Sequence, residues 1–328
     1  MGTLLVASSG GHLKELHNLH RRLGGVEGPF RWVTFDTPQS RSMLAGEAVE
    51  FVPFVGGRDP RGVGRNLGEA RRVLRDRELD TVVSTGSSVA LPYFALARAR
   101  GLACHYIESA ARIEGPSLTG KLISGVPGVR RYAQYRAWAG ERWQYRGSVF
   151  DAFAPGEERP VPQRPQRIVI TLGTYRGYSF VRVVKRLRAI LPAGAEVLWQ
   201  TGDTDVGGLG IEGHYAIPEA ELTAAMGEAD VVIAHAGVGT ALAAFEVGKC
   251  PLLVPRRHAH GEHVDDHQIQ IADELAARDL AVSVDADELG FADLERAAAR
   301  SVTRPPQAPT FETLPARSRR GSSSAKSA

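Results

Sequence analysis

The chain has 328 residues, 43% of them hydrophobic and 23% charged, with a formal net charge of +3. That is ordinary for a soluble globular protein and long enough for two cored domains. Two cysteines, Cys104 and Cys250, exclude a disulfide framework and suit a reducing compartment. No run of 18 apolar residues is present to span a bilayer. The modest charge and the lack of a binding motif argue against a nucleic-acid partner.

The first residues, MGTLLVASSGGH, pass from Met1 into a short apolar segment and a glycine turn. They contain no basic leader and no signal-length apolar stretch, so a cytoplasmic location is expected. Strands are predicted over Thr3–Ala7, Arg31–Phe35, Val49–Pro53, Thr81–Ser84 and Ala103–Ile107, with helical stretches between them, among them Arg65–Arg77 and Ala90–Arg100. Residues 151–166 hold four prolines and no periodicity, and read as a linker. A second series follows, with strands over Arg167–Leu172, Glu196–Gln200, Val231–His235, Pro251–Val254 and Ala281–Val284. Its helices are expected over Phe180–Leu191, Glu219–Met226, Val238–Val247, Val264–Arg278 and Phe291–Arg300. Near-continuous apolar runs such as RIVITL and PLLVP are those of buried parallel strands. The expected domains are 1–155 and 166–302, followed by a disordered tail over 303–328 rich in Pro, Ser, Arg and Ala.

Three glycine turns follow predicted strands: Ser8–His12, Leu172–Thr174 and His235–Thr240. Ligands of open α/β sheets bind beyond the carboxyl ends of strands, and glycine lets backbone amides approach them. A helix start adds unpaired N–H groups and partial positive charge, which suits phosphate. One such turn serves chain geometry as readily as a ligand. Three of them favour a phosphate ligand shared by both halves. Gly120-Lys121 is followed by Leu122 and lacks the upstream glycine spacing of a Walker motif, and no complete dinucleotide fingerprint occurs, so ATPase and dehydrogenase readings fare poorly.

The segments VITLGTYRG (169–177), WQTG (199–202), DVVIAHAGVGTALAAFEVGKCPLLVPR (230–256) and GEHVDDHQIQIADEL (261–275) resemble the C-terminal domain of family 28 glycosyltransferases. LLVASSGGHLKEL (4–16), VVSTGSSVALP (82–92) and YIESAARIEGPSLTGKL (106–122) resemble the acceptor-side subunit of the two-subunit UDP-N-acetylglucosamine transferase of the dolichol pathway. Bacterial capsule and exopolysaccharide transferases carry similar halves. The resemblance implies a GT-B fold, two Rossmann-like domains facing across a cleft. It further implies inverting, metal-independent transfer from a UDP-sugar to a polyprenyl-diphosphate-linked glycan acceptor.

On this resemblance Gly173, Thr174, Gln200, Gly202, His235, Gly237, Val238, Gly239, Thr240, His267 and Gln268 are the expected donor-binding residues. Many GT-B enzymes hold the ribose with a glutamate eight residues beyond the His of the HAGVGT motif. Here that position is Ala243, and Glu246, three residues on, is its expected substitute. Gly10, Gly11 and Arg112 are the expected acceptor contacts. His12 is the expected base or an acceptor-phosphate ligand, with Glu108 the second choice as base. Glu108 and Arg112, four residues apart, equally suit an internal salt bridge. His258, His260, His263 and His267, near Asp265 and Asp266, invite a zinc reading, but the segment matches the donor motif and no metal is expected. Residues 113–143 mix apolar, aromatic and basic side chains, and read either as a peripheral membrane surface or as a partly buried helix pair. Two rivals remain, a UDP-N-acetylglucosamine 2-epimerase and a non-catalytic nucleotide-sugar-binding module.

Overall fold

A computed structural model describes residues 2–56, 59–160 and 165–313. The first half runs β1 (Gly2–Ala7), α1 (Gly11–Leu19), β2 (Leu23–Gly24), β3 (Phe30–Phe35), α2 (Pro38–Met43), β4 (Ala48–Val52) and α3 (Pro60–Val73). It continues through β5 (Leu79–Gly86), α4 (Ala90–Ala99), β6 (Ala103–Ile107), α5 (Leu118–Ser124), β7 (Arg130–Ala133), β8 (Gln144–Tyr145) and β9 (Ala154–Pro155). Its seven-stranded sheet has the order β4-β3-β1-β5-β6-β7-β8, parallel throughout. β1 is wholly buried, as its apolar run Leu4–Ala7 requires, and the one polar side chain, Thr3, donates to Glu27 O at 2.6 Å.

The second half runs β10 (Arg167–Thr171), α6 (Val181–Ile190), β11 (Glu196–Gln200), β12 (Gly213–His214), α7 (Glu219–Glu228), β13 (Val231–Ala234) and α8 (Val238–Glu246). β14 (Leu252–Leu253), α9 (His267–Ala277), β15 (Val282–Ser283), α10 (Phe291–Ala298), β16 (Val302–Thr303) and β17 (Phe311–Glu312) complete it. Its parallel sheet has the order β12-β11-β10-β13-β14-β15. In both sheets the order reverses beside the first strand of the half, and the glycine turns sit at the carboxyl ends there, where such folds place ligands.

One apolar cluster joins the halves. Phe150 and Phe153 meet Phe245 of α8 with ring centroids 6.4 and 5.3 Å apart. No helix among the described residues is long and apolar enough to cross a membrane.

Two expectations are corrected. Residues 303–313 are ordered: β16 pairs antiparallel with β9, β17 pairs parallel with β2, and Phe311 is fully buried with its ring edge-on to Tyr132. One large apolar residue sufficed to dock a segment whose composition reads as disordered. Residues 314–328 of the expected tail, and 161–164 of the expected linker, lie outside the described residues. Residues 113–143 form no helix pair; they contribute α5 and the sheet strand β7.

Candidate functional site: two glycine turns face to face

The turn after β1 enters α1 through Gly10, whose φ of 85° and ψ of −142° only glycine adopts readily. No side chain caps this helix. Gly10 N–H instead donates to Gln39 Oε1 at 2.7 Å. The turn after β13 enters α8 through Gly237, again with no side-chain cap. The opening N–H groups of a helix have no intrahelical acceptor, so both ends are donor-rich and electropositive. The two ends meet. A Cβ built on Gly239 would lie 3.1 Å from Gly11 Cα of the opposite half, so glycine is what permits this approach.

His12 follows directly. Its Nδ1 lies 2.8 Å from Thr85 O, and Thr85 Oγ1 returns a bond to His12 O at 2.8 Å. The carbonyl can only accept, so Nδ1 carries the proton and Nε2 keeps its lone pair. Burial lowers the His12 pKa, favouring the neutral ring. A neutral imidazole with one nitrogen anchored and the other basic is suited to accept a proton.

Glu108 is placed otherwise. It is fully buried; Ser117 N–H and Oγ donate to Oε2 at 3.0 and 3.2 Å, and Ser109 N–H to Oε1 at 3.3 Å. Its carboxylate ties down the loop before α5, so the structure gives it an architectural place and not that of a base. Nor does it pair with Arg112, which crosses to Asp265 of the other half at 3.3 Å. Both differences come from long-range folding that four-residue spacing does not reveal.

On the donor side, the His235 ring lies under two turns. A Cβ on Gly173 would come within 2.8 Å of it, and one on Gly237 would collide with it. Its Nδ1 lies 3.3 Å from Thr171 O, and burial pushes its pKa down to about 3, so it is neutral. Gly173 and Gly202 both have positive φ and pack so closely that a Cβ on Gly202 would strike Gly173 O. Thr174 is exposed at the rim, its carbonyl accepting from Tyr215 OH at 3.3 Å. Val238 is buried beneath the α8 start, while Thr240 is half-buried.

The amide of Gln200 is spent internally: Nε2 donates to Thr171 Oγ1 at 2.8 Å and Oε1 accepts from Ile217 N–H at 2.9 Å. These bonds brace the β10 and β11 ends. Gln268 is buried, and Oε1 accepts from Arg256 N–H at 3.1 Å. His267 is half-buried and bonds Asp265 Oδ1 through Nδ1, which anchors its ring.

The Glu246 carboxylate turns to the first half, meeting Lys14 at 2.5 Å, Asn18 Nδ2 at 2.9 Å and Arg304 at 3.6 Å. In this arrangement it is engaged by the first half and not turned to the donor cleft alone. Ala243 packs instead in an apolar cluster with Leu222, Met226 and Val232.

Of the histidines, His263 and His267 converge with Asp265, one ligand atom of each lying within 4.8 Å of the others; His258 and His260 are exposed and outside this group, His258 Nδ1 lying 3.1 Å from the His263 carbonyl. Asp265 already serves His267 through Oδ1 and Arg112 through Oδ2.

Sequence reasoning missed Glu15 and Arg256. Glu15 accepts from Ser109 Oγ at 2.6 Å, Ala110 N–H at 2.9 Å and Gln134 Nε2 at 3.1 Å, and burial raises its pKa to about 7. It fixes α1, and so His12, to the loop carrying Arg112. Arg256 is buried, donating to the carbonyls of Leu172 at 2.7 Å, Tyr178 at 3.0 Å and Glu262 at 3.1 Å, and so binds the two donor-side loops together. Neither stands out in the sequence: Glu15 lies among the polar residues of His12–Asn18, and Arg256 ends the apolar run PLLVP beside a second arginine.

The chain is similar to known proteins. The glycosyltransferase family 28 C-terminal domain matches residues 167–289. A UDP-N-acetylglucosamine--N-acetylmuramyl-(pentapeptide) pyrophosphoryl-undecaprenol N-acetylglucosamine transferase of Verminephrobacter eiseniae is 28% identical over 253 residues, 69% of this chain and 68% of that one. The UDP-N-acetylglucosamine transferase subunit ALG13 of Yarrowia lipolytica is 43% identical over 72 residues, 22% of this chain and 35% of that one. This chain thus spans about two-thirds of the first relative and about a third of the second. Acinetobacter baumannii MurG superposes with a TM-score of 0.52 at 20% identity, covering 90% of this chain and 89% of its own. The UDP-GlcNAc 2-epimerase of Methanocaldococcus jannaschii gives 0.57 at 10% identity, covering 90% and 91%. At such identities these structures speak to fold alone. The chain is a glycosyltransferase: residues 167–289 are a family 28 C-terminal domain, set in a GT-B fold.

Proposed function

We propose that the protein transfers a sugar from a UDP-sugar to a hydroxyl of a polyprenyl-diphosphate-linked glycan, with inversion, in the cleft between its halves. The observation that carries this is the meeting of two uncapped helix N-termini beside a histidine whose Nε2 is left basic. The N–H groups opening α8 hold the donor diphosphate and stabilise the charge that grows on it as UDP leaves. A single donor of this kind is worth about 10²–10³ in rate. His12 removes the proton from the acceptor hydroxyl as it attacks the anomeric carbon in line. Arg112 exchanges Asp265 for the acceptor diphosphate, a bidentate partner its planar fork matches. Helix ends and guanidinium supply the positive charge, so the transfer needs no metal. Both relatives are named for UDP-N-acetylglucosamine, and the Verminephrobacter eiseniae protein also for an undecaprenol-linked acceptor, which supports this donor and acceptor class.

Leu118 and Leu122, one turn apart on α5 and 54% and 53% exposed, with Lys121 between them, form the apolar face we assign to the cytoplasmic membrane surface.

A melting-temperature screen against UDP, UDP-N-acetylglucosamine, UDP-glucose, UDP-galactose and UDP-glucuronic acid tests donor binding, since a ligand of the folded state raises Tm. UDP release that depends on added lipid-linked glycan, undiminished by EDTA, is the expected turnover. Formation of the manno epimer from UDP-N-acetylglucosamine alone, followed by NMR, would instead establish the epimerase. UDP binding without turnover on any membrane extract would establish a binding module.

A further inference from the structure

Lys14 stands two residues beyond His12, yet its ammonium leaves its own half of the molecule. It meets Glu219 Oε1 of α7 at 2.9 Å and Glu246 Oε2 of α8 at 2.5 Å. The residue is only 5% exposed, so these pairs are largely desolvated. A second tie runs parallel. Gln39 accepts the Gly10 N–H through Oε1 at 2.7 Å and reaches Glu219 Oε2 through Nε2 at 3.5 Å. One carboxylate of the donor half therefore grips the glycine turn from both sides, through Gly10 and Gln39 before His12 and through Lys14 after it. Arg304 gives Glu246 a second cation, at 3.6 Å.

We propose that Lys14 and Glu219 are positioning residues that set the His12 imidazole against the α8 N-terminus when the halves close. The inference rests on the transferase reading above. An ion pair withdrawn from water holds its partners only in close register; loss of Lys14 leaves two carboxylates facing each other, and loss of Glu219 leaves Lys14 drawn to Glu246 alone. The Lys14 register is also that of the backbone three residues earlier, where Gly11 touches Gly239. The Lys14 ammonium is a compact point charge and meets both carboxylates at once. Neither residue touches the reacting atoms; both act through the placement of His12.

The test uses the full chain, with UDP as the binding probe by calorimetry and UDP-N-acetylglucosamine with a lipid-linked glycan extract for turnover. Lys14→Met and Glu219→Gln should each lower kcat by about 10²-fold, the usual effect of misplacing a reacting group by an ångström. The Kd for UDP should stay within about threefold of wild type. The double variant should lose no more than either single one, because the two act as a unit. Single variants with kcat within about twofold of wild type would overturn the proposal. So would a loss of UDP affinity in step with kcat, which marks a pair that merely maintains the donor domain. A wild-type chain that binds no UDP and releases none would overturn the transferase reading itself, and this inference with it.

Discussion

Gly239→Ala separates closure from folding. Gly239 lies within α8 and shows no positive φ, so an alanine fits its backbone and favours the helix by about 1 kcal/mol. The only obstacle is the other half of the molecule: the new methyl would stand 3.1 Å from Gly11 Cα. Carbon atoms prefer roughly 3.5–4.0 Å, so the halves must part by about 0.4–0.9 Å or strain. Overpacking of this size costs about 1–3 kcal/mol. If the closed arrangement is the reacting one, kcat should fall by about 5- to 150-fold. Tm should hold or fall by a few °C, because the helix gain of about 1 kcal/mol offsets only part of the overpacking cost. Steady-state kinetics, a thermal melt and UDP calorimetry on the same preparation give all three numbers. Unchanged kcat with a raised Tm would refute the claim that Gly11 and Gly239 meet in the working state.

Burial lowers the His12 pKa, so the base form persists as pH falls through 6.5, the ordinary histidine value; the acid limb of kcat should lie below 6.5, and a limb above it would exclude His12. His12→Ala should lower kcat by about 10²–10⁴-fold with the UDP Kd little changed. Glu108→Ala should act on stability first, since it strands Ser117 and Ser109 donors at about 1–3 kcal/mol; an intact melt with lost turnover would restore Glu108 as a base. Phe311→Ala should destabilise by about 3–5 kcal/mol in urea titration, and a neutral result would mean that β17 is not docked.

The architecture was readable where chemistry is local. Apolar runs such as Arg167–Thr171 fit only a covered parallel strand, and the glycine turns after β1 and β13 announced helix ends open to an anion. What could not be read is what depends on the other half. Glu246 is on α8 as expected, but its partner Lys14 is more than two hundred residues away, and no periodicity reports that distance. Arg112 has Glu108 at helical spacing, yet the segment is not helical and Asp265 is its partner. Gln200 matched a nucleotide-site segment by sequence while its amide had already been taken up by Thr171 and Ile217. Sequence resemblance located the neighbourhood; the hydrogen-bond inventory decided which side chains there remain free.

The docking of Phe311 also bears on how the two lobes can move. The polypeptide passes from the first lobe to the second near Pro155 and comes back between Thr303 and Phe311, with β16 laid against β9 at the crossing. Two adjacent strands at one hinge resist twisting while still bending, as a door on two pins swings about one axis. The pairing predicts that opening to admit a nucleotide is a rocking of α8 away from α1, with His12 carried back to the same place on closing.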